Sequence, residues 1–132
     1  MDKIKTIVLP LIIAILIIGI FFGASYLSDV NNYKKAVAGI TITDIDLSKI
    51  PDGVYDGSYD VGYIAAKVKV AVTDGTIQSI DLIEHKNERG SAAEIITKTI
   101  VEEQKINVDT VSGATNSSRV IKKAVENALL QE

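Results

Sequence analysis

The stretch "IAAKVKVAVTDGTIQSIDLIEH", residues 64–85, decides the fold of this 132-residue chain. Its first half alternates apolar and polar side chains, which is the period at which a β-strand presents successive side chains to opposite faces. Asp74-Gly75 follows, a pair typical of two-residue hairpin turns because both positions require positive φ. The sequence therefore predicts an antiparallel hairpin whose second strand covers residues 76–84. One face of the first strand carries Ile64, Ala66, Val68, Val70 and Val72, and the other carries Lys67, Lys69 and Thr73.

The period of the apolar residues changes after the loop "HKNERG", residues 85–90. Ser91 and Glu94 have the spacing of a capping box, which predicts that a helix begins near Ser91. A second helix is predicted over residues 117–130. Strands followed by two amphipathic helices predict an α+β fold, with the helices packed on one face of a small antiparallel sheet. The apolar faces consist of Ala92, Ile95, Ile96 and Ile100 in the first helix, and Val120, Ile121, Ala124, Val125, Ala128 and Leu129 in the second.

The N-terminus contains an uncharged apolar run from Ile7 to Ala24. As a helix these residues would extend roughly 27 Å, close to the ~30 Å hydrocarbon thickness of a bilayer. The run is longer than the usual signal-peptide core of about 7–15 residues, which favours an uncleaved transmembrane anchor. Cleavage at the small residues Gly23-Ala24-Ser25 is the alternative, whereas a lipoprotein anchor is excluded because the chain has no Cys.

The lysines on the two sides of the apolar run predict the orientation of the anchor. Lys3 and Lys5 adjoin the run directly, whereas Lys34 and Lys35 lie about ten residues beyond its other end. The positive-inside rule therefore favours a cytoplasmic N-terminus and a folded domain outside the cytoplasmic membrane.

Three regions follow from these patterns: a transmembrane anchor at 1–25, a stalk or linker at 26–51 and a folded domain at 52–132. The stalk is expected to continue the helix until Gly39 stops it. Beyond residue 24 the chain carries 12 Lys and Arg against 16 Asp and Glu, so no nucleic-acid partner is expected. With no Cys and a single His, the sequence also predicts neither a metal site nor a haem or cluster.

The segment "DTVSGATNSSRV", residues 109–120, concentrates five hydroxyl side chains around Gly113-Ala114, just before the last predicted helix. One interpretation is that a Ser or Asn of this turn only caps the helix. The other is a phosphate site, because helix N-terminal N–H groups and the helix dipole favour an anion, and hydroxyls add donors. Under that interpretation Ser117 and Ser118 would donate hydrogen bonds to the phosphate oxygens.

The motif "DTVSGAT" resembles the Asp-x-x-Ser/Thr-Gly-Ala-Thr signature of FMN-binding domains, the covalent flavin module of the sodium-pumping quinone reductase and Rnf-type complexes. The segments "DGVYDGSY", "VKVAVTDGTIQSIDLIEHKN" and "VIKKAVENAL" are similar to single-domain members of that family. The resemblance covers about residues 52–130. It implies that FMN is attached through a phosphoester to Thr115 by a separate flavin transferase that uses FAD.

The resemblance also implies roles for the neighbouring residues. Ser112, Gly113 and Ala114 would shape the turn, and Asp109 would be the signature acid recognised during transfer. The loop that begins with His85 would lie near the flavin, although His85 has the alternative of being a polar residue that ends a strand. Arg89 would either place a positive charge near the reduced flavin or be solvated.

The function implied is that of a membrane-anchored, extracytoplasmic electron-transfer flavoprotein rather than a stand-alone catalyst. No catalytic residue is predicted. Its electrons would come from a membrane redox donor such as a quinone-linked dehydrogenase. Two alternatives stay open: a non-redox surface or sensory module whose turn only caps a helix or binds phosphate reversibly, and a reductase that acts alone on a small acceptor.

Overall fold

The computed structural model describes residues 1–87 and 89–131. The chain forms two compact units, Met1–Lys35 and Ala36–Glu132. The helices are α1 (Asp2–Ala38), α2 (Ile96–Glu103) and α3 (Thr115–Leu130), and the strands are β1 (Gly53–Asp60), β2 (Ala65–Thr73) and β3 (Thr76–Lys86). Short 3-10 helices cover Leu47–Lys49 and Ser91–Ile95.

Helix α1 is the one described helix long and apolar enough to cross a membrane, by length and composition. None of the most apolar 18-residue window of α1 is buried within the protein, so the large apolar side chains of that window are exposed on every side. A helix that is apolar on every side is stable in hydrocarbon and costly in water. The helix ends at Ala38, immediately before Gly39, where the sequence predicts that it stops.

The three strands form one antiparallel sheet in the order β1-β2-β3. The predicted hairpin is confirmed, with the turn at Asp74 and Gly75, whose φ angles are 50° and 68°. β3 extends to Lys86, two residues beyond the predicted end. The face of β2 predicted to be apolar is buried, and Lys67, Lys69 and Thr73 are exposed.

The core lies between the sheet and α3, which packs across β1 and β2, while α2 packs against β3. This is the predicted α+β arrangement. All six residues predicted to form the apolar face of the last helix are buried. The helix nevertheless begins at Thr115, two residues earlier than predicted, so Ser117 and Ser118 lie inside its first turn.

The start of α2 differs from the prediction. The residue before the 3-10 turn Ser91–Ile95 is Gly90, and no side chain caps it, so the predicted capping box is wrong. Glu94 instead contacts His85. Because the 3-10 turn has three residues per turn, it rotates the apolar face: Ala93 is buried, whereas Ala92 and Ile95 are exposed.

Residues 36–51, expected to be part of a stalk, group with the C-terminal unit. Val37 is buried there. The Asp44 carboxylate accepts hydrogen bonds from the backbone N–H groups of Ile106 (3.1 Å) and Asn107 (2.8 Å). The segment is therefore attached to the folded unit by specific contacts. The boundary predicted at residue 52 stays a prediction.

Candidate functional site

The turn before α3 is shaped by Gly113. The backbone N–H of Ala114 donates to the carbonyl of Val111 (3.0 Å), and Gly113 has a φ of 80°. A glycine with positive φ at the third of four residues is typical of a type II turn. A Cβ at Gly113 would meet no atom within 4 Å, so backbone conformation, not space, requires the glycine.

Thr115 is the first residue of α3, and it is exposed. The first hydrogen bond of the helical pattern runs from the Ser118 N–H to the Ala114 carbonyl (2.9 Å), so the N–H groups of residues 115–117 precede it. The N-cap residue of α3 is Ala114, whose methyl group cannot accept a hydrogen bond from these N–H groups, and no side-chain cap is present. The turn therefore does not act as a side-chain cap, and the helix dipole favours an anion at this end.

The Ser118 side chain links the turn to the first turn of α3 through two hydrogen bonds. Its hydroxyl is fully buried, donates to the Ala114 carbonyl (2.8 Å) and accepts from the Val111 N–H (3.0 Å). A hydroxyl has one proton to donate, and here it is already used. The hydrogen bond predicted from Ser118 to a phosphate is therefore not available in this arrangement, and the residue instead stabilises the turn.

Ser117 lies where the loop 85–90 meets α3. The residue is 1% exposed, and its Oγ has no hydrogen-bond partner among the described residues. A Cβ on Gly90 would overlap both Cβ and Oγ of Ser117. Glycine at position 90 therefore allows the loop to pack directly against the first turn of α3.

His85, near the end of β3, has a side chain that is only 3% exposed. Its Nδ1 lies 3.0 Å from Oε1 of Glu94 and 3.4 Å from the amide nitrogen of Asn87. In the tautomer that carries its proton on Nδ1, the His85 ring donates to Glu94 Oε1, and Nε2 is a hydrogen-bond acceptor. Nε2 is buried and has no partner within the described parts of the chain.

Of the remaining predicted residues, all but Ala114 are exposed to solvent. Asp109 and Ser112 are exposed on the turn, and Arg89 is exposed in the loop, with no charged partner among residues 1–87 and 89–131. The neighbouring Glu88 lies outside the described residues. Ala114 is buried.

The sequence did not identify three residues that organise this region: Asn87, Gly90 and Glu94. The Asn87 side chain accepts a hydrogen bond from the Gly90 N–H (3.0 Å) and so shapes the loop. The one signal available for Glu94 was its spacing from Ser91, which indicates a capping box and not a contact with His85. That contact joins residues nine positions apart and depends on how the 3-10 turn packs against β3.

Two buried polar atoms in this region, Ser117 Oγ and His85 Nε2, have no hydrogen-bond partner among residues 1–87 and 89–131. The exposed residue Thr115 lies at the uncapped N-terminus of the helix that carries Ser117. Buried polar atoms without a partner are rare in folded proteins, and they mark places where a ligand or solvent group completes the hydrogen bonding. Across residues 1–87 and 89–131, no group of three or more His, Cys, Asp or Glu side chains could hold a metal ion.

Residues 62–130 match the FMN-binding domain family. An uncharacterized protein of Treponema pallidum (strain Nichols) is 31% identical over 87 residues, which are 64% of this chain and 24% of that protein. The chain thus spans about a quarter of the length of that relative. No solved structure matches the chain.

Proposed function

Because the chain belongs to the FMN-binding domain family, we propose that it is a membrane-anchored electron carrier that holds FMN covalently through a phosphoester to Thr115. FMN, when bound, supplies reversible one- and two-electron chemistry. The chain's own residues would hold the group, exclude water from part of it and set its electrostatic surroundings. A separate flavin transferase that uses FAD would attach it.

The observation that supports Thr115 as the attachment point is its position at the uncapped N-terminus of α3, with its side chain exposed. A transferase can reach a hydroxyl in this position. The phosphodiester that results keeps one negative charge, which the N–H groups and the dipole of α3 stabilise by about 0.3–1 kcal/mol at an exposed helix end. Gly113 allows the positive φ that shapes the turn before Thr115.

The neighbouring residues fit a flavin group at this position. Ser117 Oγ and His85 Nε2 are the two buried polar atoms without a described partner, and both belong to segments that meet near Gly90. Ser117 would donate a hydrogen bond to the attached group, and Glu94 would hold the His85 ring in one orientation. Asp109 and Ser112 are exposed on the turn, where a transferase would recognise them.

The proposed location is the extracytoplasmic side of the cell membrane, with α1 as a single-pass anchor. The length and apolar surface of α1 support the anchor, and Lys3 and Lys5 support a cytoplasmic N-terminus. Covalent attachment suits that location, because a cofactor held by equilibrium binding alone would be lost to the medium. A membrane donor such as a quinone-linked dehydrogenase would supply the electrons.

Intact mass of the full chain in detergent, produced with and without a flavin transferase, tests the attachment. We expect wild type to gain the mass of one FMN less one water only when the transferase is present. Thr115→Val should show no gain. Thr110→Val is the matched control, because Thr110 is an exposed threonine at a variable position of the same motif, and it should be loaded like wild type.

A wild-type chain that gains no mass, beside a control substrate that the same transferase loads, would contradict covalent attachment. Loading of Thr115→Val at the wild-type level would place the bond on another residue. Reversible binding of FMN by the unloaded chain, measured by flavin fluorescence, would then support the non-redox alternative in which the turn holds a phosphate reversibly.

A further inference from the structure

A cavity of about 360 Å³ lies on the side of α3 that carries Arg119 and Lys122. Its volume falls within the range of about 300–1,000 Å³ that is usual for small-molecule sites. One wall comes from residues 38–42, which lie outside the part of the chain that matches the family. The lining consists of Ala38, Ile40, Thr41, Ile42, Asn107, Thr110, Arg119 and Lys122.

The segment 38–42 is held to the folded unit at both of its ends. At the N-terminal end, the Arg119 guanidinium lies 3.5 Å from the Val37 carbonyl, and the Val37 side chain is buried. Lys123 donates to the Thr41 carbonyl (3.4 Å), and beyond the wall the Asp44 carboxylate accepts two backbone N–H groups. The cavity is therefore a formed feature of the C-terminal unit.

Two positive charges converge on this cavity. Lys122 is 5% exposed, and its ammonium donates to the Asn107 side chain (3.1 Å) and the Val108 carbonyl (2.7 Å), both of them neutral acceptors. Burial, and then repulsion by the Arg119 charge, lower the pKa of Lys122, although Asp109 and Asp44 act in the opposite direction. Within the described residues no carboxylate lies within 4.0 Å of either cation.

Among residues 1–87 and 89–131, Arg119 has one hydrogen-bond partner, the Val37 carbonyl, so most of its donors are unused there. A guanidinium has five N–H donors, and the contact with the Val37 carbonyl is long for a hydrogen bond. An oxyanion in the cavity would accept from these donors and offset the repulsion between Arg119 and Lys122. The hydroxyls of Thr41 and Thr110 offer further donors, which favours phosphate, with its larger number of acceptor oxygens, over a carboxylate.

We infer that this cavity is a binding site for the phosphate group of a small organic phosphate ester, with Arg119 as its principal donor. The ester's apolar part would contact Ala38, Ile40 and Ile42. Two sources have the required chemistry: a soluble phosphate ester and the headgroup of a phospholipid. Thr115 does not line this cavity, and the inference does not depend on flavin attachment there.

Calorimetric titration of the full chain with sn-glycerol 3-phosphate tests the site. The chain is produced without a flavin transferase, and the titration is made in a neutral maltoside detergent at constant ionic strength. We expect saturable binding by wild type and binding about tenfold or more weaker in Arg119→Met, because a charge-assisted hydrogen bond contributes about 1.5–3 kcal/mol. Lys98→Met removes an exposed lysine of α2 and should bind like wild type.

Ala38→Phe is the second variant, since it fills the cavity and leaves both cations in place. It should also abolish binding, even if Arg119→Met proves too unstable to study. Absence of binding by wild type would overturn the inference. So would equal binding by wild type, Arg119→Met and Ala38→Phe.

Nanodiscs distinguish the two sources of the phosphate. In discs of a phosphate-free glycolipid, glycerol 3-phosphate should bind as it does in detergent. If discs of phosphatidylglycerol abolish that binding, a lipid headgroup occupies the site. If binding persists in them, the natural ligand is a soluble ester. Either result supports the site, whereas no binding in any disc or detergent overturns it.

Discussion

Three hydroxyl residues within four positions of α3 have three different environments. Thr115 is exposed at the helix start, Ser117 is buried without a described partner, and Ser118 is buried with two hydrogen bonds. A helix rotates about 100° per residue, so neighbours in sequence point in different directions. The position of the helix start therefore decides which hydroxyl is available for attachment, and it leaves Thr115 outside.

We expect Ser118→Ala to destabilise the folded unit by about 1–3 kcal/mol. The substitution removes a buried acceptor and leaves the Val111 N–H without its partner, which costs more than the loss of an exposed hydrogen bond. Ser112→Ala is the matched control, because Ser112 is exposed on the same turn, and it should change stability by less than about 0.5 kcal/mol. Urea denaturation of residues 36–132, the compact unit, measures both.

Ser112→Ala and Ser118→Ala also distinguish an effect on the stability of the fold from an effect on recognition by the transferase. Ser112→Ala should fold like wild type and still lower the yield of flavin attachment, if Ser112 forms part of the turn that the transferase recognises. Equal stability of Ser118→Ala and wild type would show that the buried hydrogen bonds of Ser118 do not stabilise the turn.

At the level of elements, the close approach of β1 to α3 depends on one residue. A Cβ placed on Gly57 would lie 2.2 Å from the Ala124 carbonyl oxygen and 2.4 Å from the Ala128 nitrogen, which are backbone atoms of the helix. Backbone atoms cannot move aside as the end of a long side chain can. The absence of a side chain at Gly57 therefore determines how closely the helix packs on the sheet.

Gly57→Ala should destabilise the folded unit by about 3 kcal/mol, the upper part of the usual range for overpacking a core. Gly53→Ala, in the same strand, is the matched control. There the new Cβ would meet only the Tyr55 ring at ordinary contact distance, 3.6 Å or more. Thermal denaturation of the two variants measures the difference, and equal melting temperatures would contradict the close packing of β1 and α3.

The predicted bounds of the helices and strands agree with the structure for some elements and differ for others. The strand β2 and the helix α3 were predicted with nearly the right bounds, because each has one buried face and the apolar residues repeat at the strand or helix period. For the helix after the loop, Ile96 and Ile100 are buried as predicted, and only the first turn, with Ala92 and Ile95, was predicted in the wrong phase. Its first turn is a 3-10 helix, and the contact of Glu94 with His85 replaces the capping box that the local sequence indicates.

At the scale of the whole molecule, the proposed orientation of the chain in a membrane can be tested directly. The absence of Cys makes it measurable, because one introduced cysteine is the only thiol. Ser79→Cys lies on the exposed surface of β3, and Asp2→Cys lies at the other end of α1. In intact cells, a membrane-impermeant maleimide should label Ser79→Cys and should label Asp2→Cys only after lysis.

The reverse labelling pattern would place the folded unit in the cytoplasm. It would contradict the proposed location without affecting flavin attachment, since the mass measurement is independent of orientation. Release of Ser79→Cys into the medium in a shortened form would instead identify the N-terminus as a cleaved signal.

The sequence alone determined the features that depend on local periodicity and composition. They are the hairpin at Asp74-Gly75, the α+β class, an apolar helix long enough for a membrane, and the family, through the motif at residues 109–115. These features are local because backbone hydrogen bonding and side-chain direction repeat along the chain with fixed periods.

Only the tertiary structure decided which polar groups meet. The packing of Gly90 on Ser117 and the cavity between residues 38–42 and α3 join segments that are separated by other elements. The contact between His85 and Glu94 joins two consecutive elements across the loop that follows β3. Their positions depend on how the sheet and the helices pack against each other, and no local pattern in the sequence encodes that packing. The physical reason is that burial and close contact are properties of the assembled core, whereas periodicity is a property of one element.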